Sequence, residues 1–184
     1  MKLKLYHSIL QTTIIVYKKT HRLYIMLYLI SKLYFCLLKI REWCYSIKLF
    51  KQYSFSIPII SIGNISIGGA GKTPMIIYLS RLLTKQKIKH VIVSRGYKKR
   101  GRGSIIVQDY NQQLISDPLI AGDEPVMLTY KIQKIPIVVD SKKTRGIALA
   151  IQKFSPEVIL LDDGFQSTYI KKNTDCVLID LSMP

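Results

Sequence analysis

An apolar stretch, Ile57 to Gly63, runs directly into a glycine-rich segment that ends Gly71-Lys72-Thr73-Pro74, after which Met75, Ile76, Leu79, Leu82 and Leu83 repeat at helical spacing. Strand, glycine turn and helix in that order make a phosphate cradle. Backbone N–H groups of the turn and the positive end of the helix bind phosphate oxygens, a lysine reaches the terminal phosphates, and a threonine hydroxyl ligates Mg²⁺. The expected phosphate-binding residues are therefore Ser66, Ile67, Gly68, Gly69, Ala70, Gly71, Lys72 and Thr73. Ser66 stands where the general pattern GxxxxGK(S/T) has its first glycine, so an ordinary glycine-rich turn is the alternative.

Downstream, strand and helix signals alternate, as in βαβ units of a mostly parallel sheet. Strands are expected at His90–Ser94, Ile135–Val139, Val158–Leu161 and Cys176–Ile179, with an extended piece at Ser104–Val107. Helices are expected from Gly122-Asp-Glu-Pro125 to about Ile132 and over Lys142–Lys153. The expected fold is a P-loop NTPase-like α/β domain, a mostly parallel sheet flanked by helices, preceded by an N-terminal membrane-associated helix. The 184 residues accommodate one such domain, 52–184, plus an appendage, 1–51. Ligands of such sheets bind at the carboxyl ends of the strands, where the phosphate loop, Arg95, Asp140 and Asp162-Asp163 all fall.

The appendage carries ten Lys/Arg against the single acid Glu42, whereas the remainder carries eighteen against ten. It is also the most apolar part: Leu23 to Leu38 is interrupted only by Ser31 and Lys32 and is flanked by Lys18, Lys19, Arg22, Lys39 and Arg41. Sixteen helical residues reach about 24 Å, short of the ~30 Å hydrocarbon core, so a thinned bilayer, a snorkelling Lys32 and an interfacial helix are all open. Tyr24, Tyr28, Tyr34 and Trp43 suit the headgroup level. A core helix of the globular domain is the bland alternative, and no small-residue cleavage site favours a signal peptide. The net charge of +17 accompanies abundant Ile, Lys and Tyr, which biased nucleotide composition also produces, and no nucleic-acid partner is expected. Cys36, Cys44 and Cys176 have no metal spacing, and His7, His21 and His90 form no catalytic set with them.

Asp162 and Asp163 close an apolar strand, where nucleotide-hydrolysing proteins place the acid that holds Mg²⁺ across from the phosphate-loop threonine. A solvated Asp-Asp-Gly turn is the alternative. Asp123 and Glu124 read either as a helix N-cap with first-turn acids or as a general base with a metal-linked neighbour. The basic run Lys98–Arg102 reads as a solvated loop or as a site for an anionic partner.

Ser61-Ile-Gly-Asn-Ile-Ser-Ile-Gly-Gly-Ala-Gly-Lys-Thr-Pro74, Ser94-Arg-Gly-Tyr97, Gly122-Asp-Glu-Pro125 and Leu161-Asp-Asp-Gly-Phe-Gln166, following a basic apolar helix, closely resemble the tetraacyldisaccharide 4'-kinase (lipid A 4'-kinase) family. The resemblance runs from about residue 20 to the C-terminus, and this family accepts Ser or Thr at the position of Ser66. It implies an enzyme of lipid A biosynthesis on the cytosolic face of a bacterial-type inner membrane. That enzyme moves the γ-phosphate of ATP to the 4'-hydroxyl of a tetraacylated glucosamine disaccharide 1-phosphate, with Mg²⁺. Carried over, Lys72 contacts the β/γ phosphates, Thr73, Glu124, Asp162 and Asp163 serve the metal, and Asp123 is the base.

Three departures accompany the resemblance. Ser167 stands where the family usually has His, and Lys143 where an Arg is expected, which keeps the charge but loses bidentate phosphate geometry. The family is also longer, with a second lobe that supplies a His partner for the catalytic Asp, whereas this sequence stops at Pro184, leaving a fragment and a genuine truncation both open. Rival readings are another phosphate-loop ATPase or GTPase, and an inactive remnant that binds nucleotide or membrane.

Overall fold

The computed structural model describes the backbone of residues 2–64, 70–96, 99–100, 103–115 and 117–180, with side chains from Leu23 onward. The chain divides into two compact units, Met1–Lys51 and Gln52–Pro184.

The first unit is one long helix, α1 (Lys2–Ser46, 45 residues). Its segment Leu23–Ser46 is 24 residues long and contains an 18-residue window with a mean hydropathy of 1.7. At ~1.5 Å per residue that segment reaches about 36 Å, enough to cross a ~30 Å hydrocarbon core, so the helix continues well past the sixteen-residue apolar run legible in sequence. Its large side chains are exposed, Leu33 and Phe35 among them. The Lys32 and Lys39 ammoniums lie over the Tyr28 and Phe35 rings at 5.4 and 5.7 Å. The helix stops where Lys48 turns left-handed (φ 60) and the amides of Leu49 and Phe50 both donate to the Cys44 carbonyl.

The second unit is a six-stranded sheet: β1 (Ile59–Asn64), β2 (His90–Ser94), β3 (Ile105–Gln108), β4 (Ile137–Val139), β5 (Val158–Asp162) and β6 (Thr174–Leu178), in the spatial order β3-β4-β2-β5-β1-β6. All neighbours are parallel except β3, which runs antiparallel to β4 with a register shift between Ile106 and Gln108. β1 begins two residues later than expected because Pro58, lacking an N–H, cannot donate to a ladder. Its carbonyl still accepts from the Ile159 amide at 3.0 Å.

Strand residues alternate between two cores. Ile62, Ile92, Ile137, Val139 and Leu160 pack with Ile76 of α2 (Lys72–Lys85) and with Val126 and Leu128 of α4 (Asp123–Lys131). Val91, Val93, Val138, Ile159 and Leu161 pack with Ile147 and Ala150 of α5 (Lys143–Phe154). Two covered faces explain why the central strands read as continuous apolar runs. A short α3 (Pro118–Ala121), not anticipated from sequence, is started by Asp117, whose carboxylate accepts from the Leu119 amide at 2.8 Å, with Pro118 at the first helical position.

Between α2 and β2, Ser80 and His90 form a buried pair at 2.7 Å. The Ile88 carbonyl, 3.0 Å from Nδ1, can only accept, so Nδ1 carries the proton and Nε2 accepts from the Ser80 hydroxyl. Burial holds the imidazole below its usual 6.5, despite the opposing Ile88 hydrogen bond. A depressed histidine contributes stability that is present above pH 6.5 and lost as pH falls through the folded-state value. The expected result is a lower denaturation midpoint at pH 5.5 than at pH 7.5, by at most about a tenfold change in folding constant per pH unit. Equal pH dependence in wild type and His90→Leu would refute this role.

Candidate functional site

β1 and β5 run side by side and parallel, with Ile62 opposite Asp162, so Asn64, which precedes the glycine-rich segment, and the Asp162-Asp163 pair lie at the carboxyl ends of neighbouring strands. α2 begins at Lys72 immediately after Gly71, whose φ of 81 favours glycine. The Lys72 ammonium donates to Asn64 Oδ1 at 2.8 Å and pairs with Asp163 Oδ1 at 3.3 Å. Ala70, Gly71 and Thr73 lie beside it in sequence at the helix start, whereas Ser66, Ile67, Gly68 and Gly69 fall outside the described residues.

The two aspartates have different environments. Asp163 takes a left-handed φ of 49 and leaves its side chain half exposed. Asp162 is buried and accepts from the Ser94 hydroxyl at 2.8 Å. Burial raises its pKa above the usual carboxylate value; Ser94 and the Lys143 charge oppose the rise, and the Glu124 and Asp163 charges add to it. Glu124 is thereby within electrostatic reach of Asp162. Asp123 and Glu124 occupy the exposed first turn of α4, and the capping residue is Gly122 (φ 94), so neither acid is the N-cap. Among the described residues, no cluster of three His, Cys, Asp or Glu side chains is close enough to hold a metal ion by itself.

Asp140, also at a strand end, is turned inward. Fully buried, it receives Arg145 through both carboxylate oxygens (2.6 and 2.9 Å), the Ser104 hydroxyl and the Lys142 amide (2.7 Å), and these donors hold its pKa at about 2 against the effect of burial. It ties the start of β3 to the turn before α5. Lys143 and Ser167 meet: the buried ammonium donates to Ser167 Oγ at 3.3 Å and to the Asp163 carbonyl. Arg95, Lys143, Asp163, Gln166 and Ser167 line a cavity of about 260 Å³ with Ser141 and Tyr169. In the basic loop, Lys99 donates to the Gly103 carbonyl at 2.8 Å, while Tyr97, Lys98, Gly101 and Arg102 lie outside the described residues.

Sequence reading alone assigns no role to Asn64 or Ser94. Position is the signal that finds them, since each ends a strand adjoining the one that carries Asp162.

A mostly parallel sheet whose first strand is followed by a glycine-rich segment and a helix opening with Lys72-Thr73, with an acidic pair closing the neighbouring strand, is a P-loop kinase fold. Comparison narrows the class. The family model described as tetraacyldisaccharide-1-P 4'-kinase matches residues 23–184. The chain is 36% identical to the tetraacyldisaccharide 4'-kinase of Desulfotalea psychrophila over 151 residues, 82% of this chain and 43% of that protein. It is 35% identical to that of Halothermothrix orenii over 157 residues, 84% of this chain and 40% of that protein. A crystal structure of the "apo" form of LpxK from Aquifex aeolicus in complex with ATP superposes with a TM-score of 0.74 at 35% identity, covering 83% of this chain and 47% of that one. The chain belongs to the tetraacyldisaccharide 4'-kinase family. It spans less than half the length of these relatives.

Proposed function

We propose that this chain provides the ATP site of a tetraacyldisaccharide 4'-kinase, which moves the γ-phosphate of ATP to the 4'-hydroxyl of a tetraacylated glucosamine disaccharide 1-phosphate at the cytosolic face of an inner membrane. The observation that carries the reading is the meeting of Lys72 and Asp163 at 3.3 Å. A cation for the β/γ phosphates and a carboxylate for a metal stand together at the end of the β1–β5 pair, in a chain of this family.

Phosphoryl transfer asks mainly for positioning and charge neutralisation. Lys72 and the backbone of Ser66 to Gly71 hold and orient the phosphates. Thr73, Asp162, Asp163 and Glu124 offer only hard oxygen donors, and the half-exposed Asp163 beside buried Asp162 fits Mg²⁺ chemistry. Mg²⁺, when bound, supplies charge neutralisation on the transferring group. Asp123, exposed at the start of α4, takes the proton from the 4'-hydroxyl. The test is transfer of γ-labelled phosphate from ATP to tetraacyldisaccharide 1-phosphate. Label absent from the lipid in the presence of bound nucleotide would refute the activity.

The unit 1–51 is proposed to hold the protein at the membrane through the 24-residue apolar segment of α1 and the flanking cations. Deleting residues 1–51 is expected to shift the protein from the pellet to the supernatant after sedimentation with anionic-lipid vesicles. Unchanged sedimentation would contradict the anchor.

A further inference from the structure

Two lysines close on the acidic turn through its backbone. The carbonyls of Asp163, Gly164 and Phe165 are consecutive, and each accepts from a lysine ammonium. Lys143, the first residue of α5, donates to the Asp163 carbonyl and to Ser167 Oγ. Lys172, in the segment leading to β6, donates to the Gly164 carbonyl at 3.3 Å and the Phe165 carbonyl at 3.1 Å. It also pairs with Asp175 Oδ1 at 2.8 Å and lies 5.8 Å from the centre of the Phe165 ring.

Both ammoniums are inside the protein: Lys143 is 4% exposed and the Lys172 side chain 8%. A buried ammonium is costly unless its donors are satisfied. Lys172 has three N–H donors and three oxygen acceptors, two in the turn and one on Asp175, so its hydrogen bonds are made within the protein rather than to a ligand. The turn needs such support. Asp163 is a non-glycine residue at φ 49, its charge acts against that of Asp162, and a Cβ on Gly164 would come within 2.6 Å of Ser61 Oγ.

We propose that Lys143 and Lys172 are positioning residues that hold the Asp162-Asp163 turn in the orientation its carboxylates need at the nucleotide site, an inference that rests on the Mg·ATP reading of that site. Lys172 acts wholly through backbone carbonyls and Asp175. Its contribution therefore depends on donating several hydrogen bonds at once, not on charge at the phosphates.

The test compares the full chain with Lys172→Met, which keeps the apolar stem and removes the donors, by amide hydrogen exchange and by ATP titration. The Gly164 and Ser167 amides, bonded to the carbonyls of Ile62 and Gly164 at 3.0 and 2.9 Å, should exchange roughly tenfold faster or more, with β2 unchanged. The Mg²⁺ needed for half-maximal ATP affinity should rise several-fold while ATP affinity in EDTA stays constant, and Lys172→Arg should restore most of the loss. Unchanged exchange at Gly164 and Ser167 would overturn the proposal. So would equal loss of affinity with and without Mg²⁺ accompanied by faster exchange throughout the sheet. If wild type binds no ATP, the nucleotide reading fails, and the exchange measurement still decides whether Lys172 holds the turn. Should Lys172→Met not fold, Asp175→Asn removes only the ionic partner and is judged by the same two amides.

Discussion

Lys72→Ala is expected to lower Mg·ATP affinity by roughly 10²-fold or more, because removing one partner of a desolvated charge pair costs about 2–5 kcal/mol and each ~1.4 kcal/mol is tenfold. The ammonium is already aimed by Asn64 at 2.8 Å, so little ordering remains to be done when phosphates arrive. Stability should hardly change. The Lys72–Asp163 pair is partly exposed, 24% on the lysine and 50% on the aspartate, and such pairs contribute about 0–1 kcal/mol. Calorimetric titration beside a denaturation curve separates the two effects. Equal affinity in wild type and Lys72→Ala would remove the phosphate-loop assignment and, with it, the kinase reading.

The parts of this architecture legible in sequence are those where one local rule decides the outcome. His90–Ser94 is a strand within its expected bounds because five consecutive buried positions leave no competing period. α2 follows from the spacing of Met75, Ile76, Leu79 and Leu83, all packed against one face of the sheet. β6 begins two residues before its apolar part because Thr174 and Asp175 sit exposed on an edge strand, where pairing with β1 rather than side-chain burial extends the ladder. The antiparallel direction of β3 is a tertiary choice that four residues cannot announce.

The site divides in the same way. Lys72, Thr73, Asp162 and Asp163 are candidates that sequence singles out because phosphate and metal chemistry restrict which residue types serve. Lys172 cannot, since no motif in the sequence marks it, and only the fold reveals that it is sunk beside Asp175 with its stem buried. Lys143 is similar: sequence aims its charge at a phosphate, whereas the fold turns the ammonium onto the Asp163 carbonyl and Ser167.

Asp123→Asn is expected to leave Mg·ATP affinity within about twofold of wild type and to lower phosphate transfer by roughly 10²-fold or more, the usual worth of a positioned base. Asparagine keeps the shape and loses only the ability to take a proton. Because Gly122 is the residue that caps α4, the substitution removes no capping hydrogen bond; it forfeits only a first-turn charge, about 0.3–1 kcal/mol of helix-dipole interaction. A large rate loss at nearly constant stability and nucleotide affinity therefore isolates proton transfer. Asp163→Asn should behave differently, requiring more Mg²⁺ for the same rate because it removes charge beside Lys72 rather than at the acceptor. A fully active Asp123→Asn would reduce Gly122-Asp-Glu-Pro125 to a helix start with two dipole-complementing acids, and the base would then have to be sought elsewhere along the strand ends.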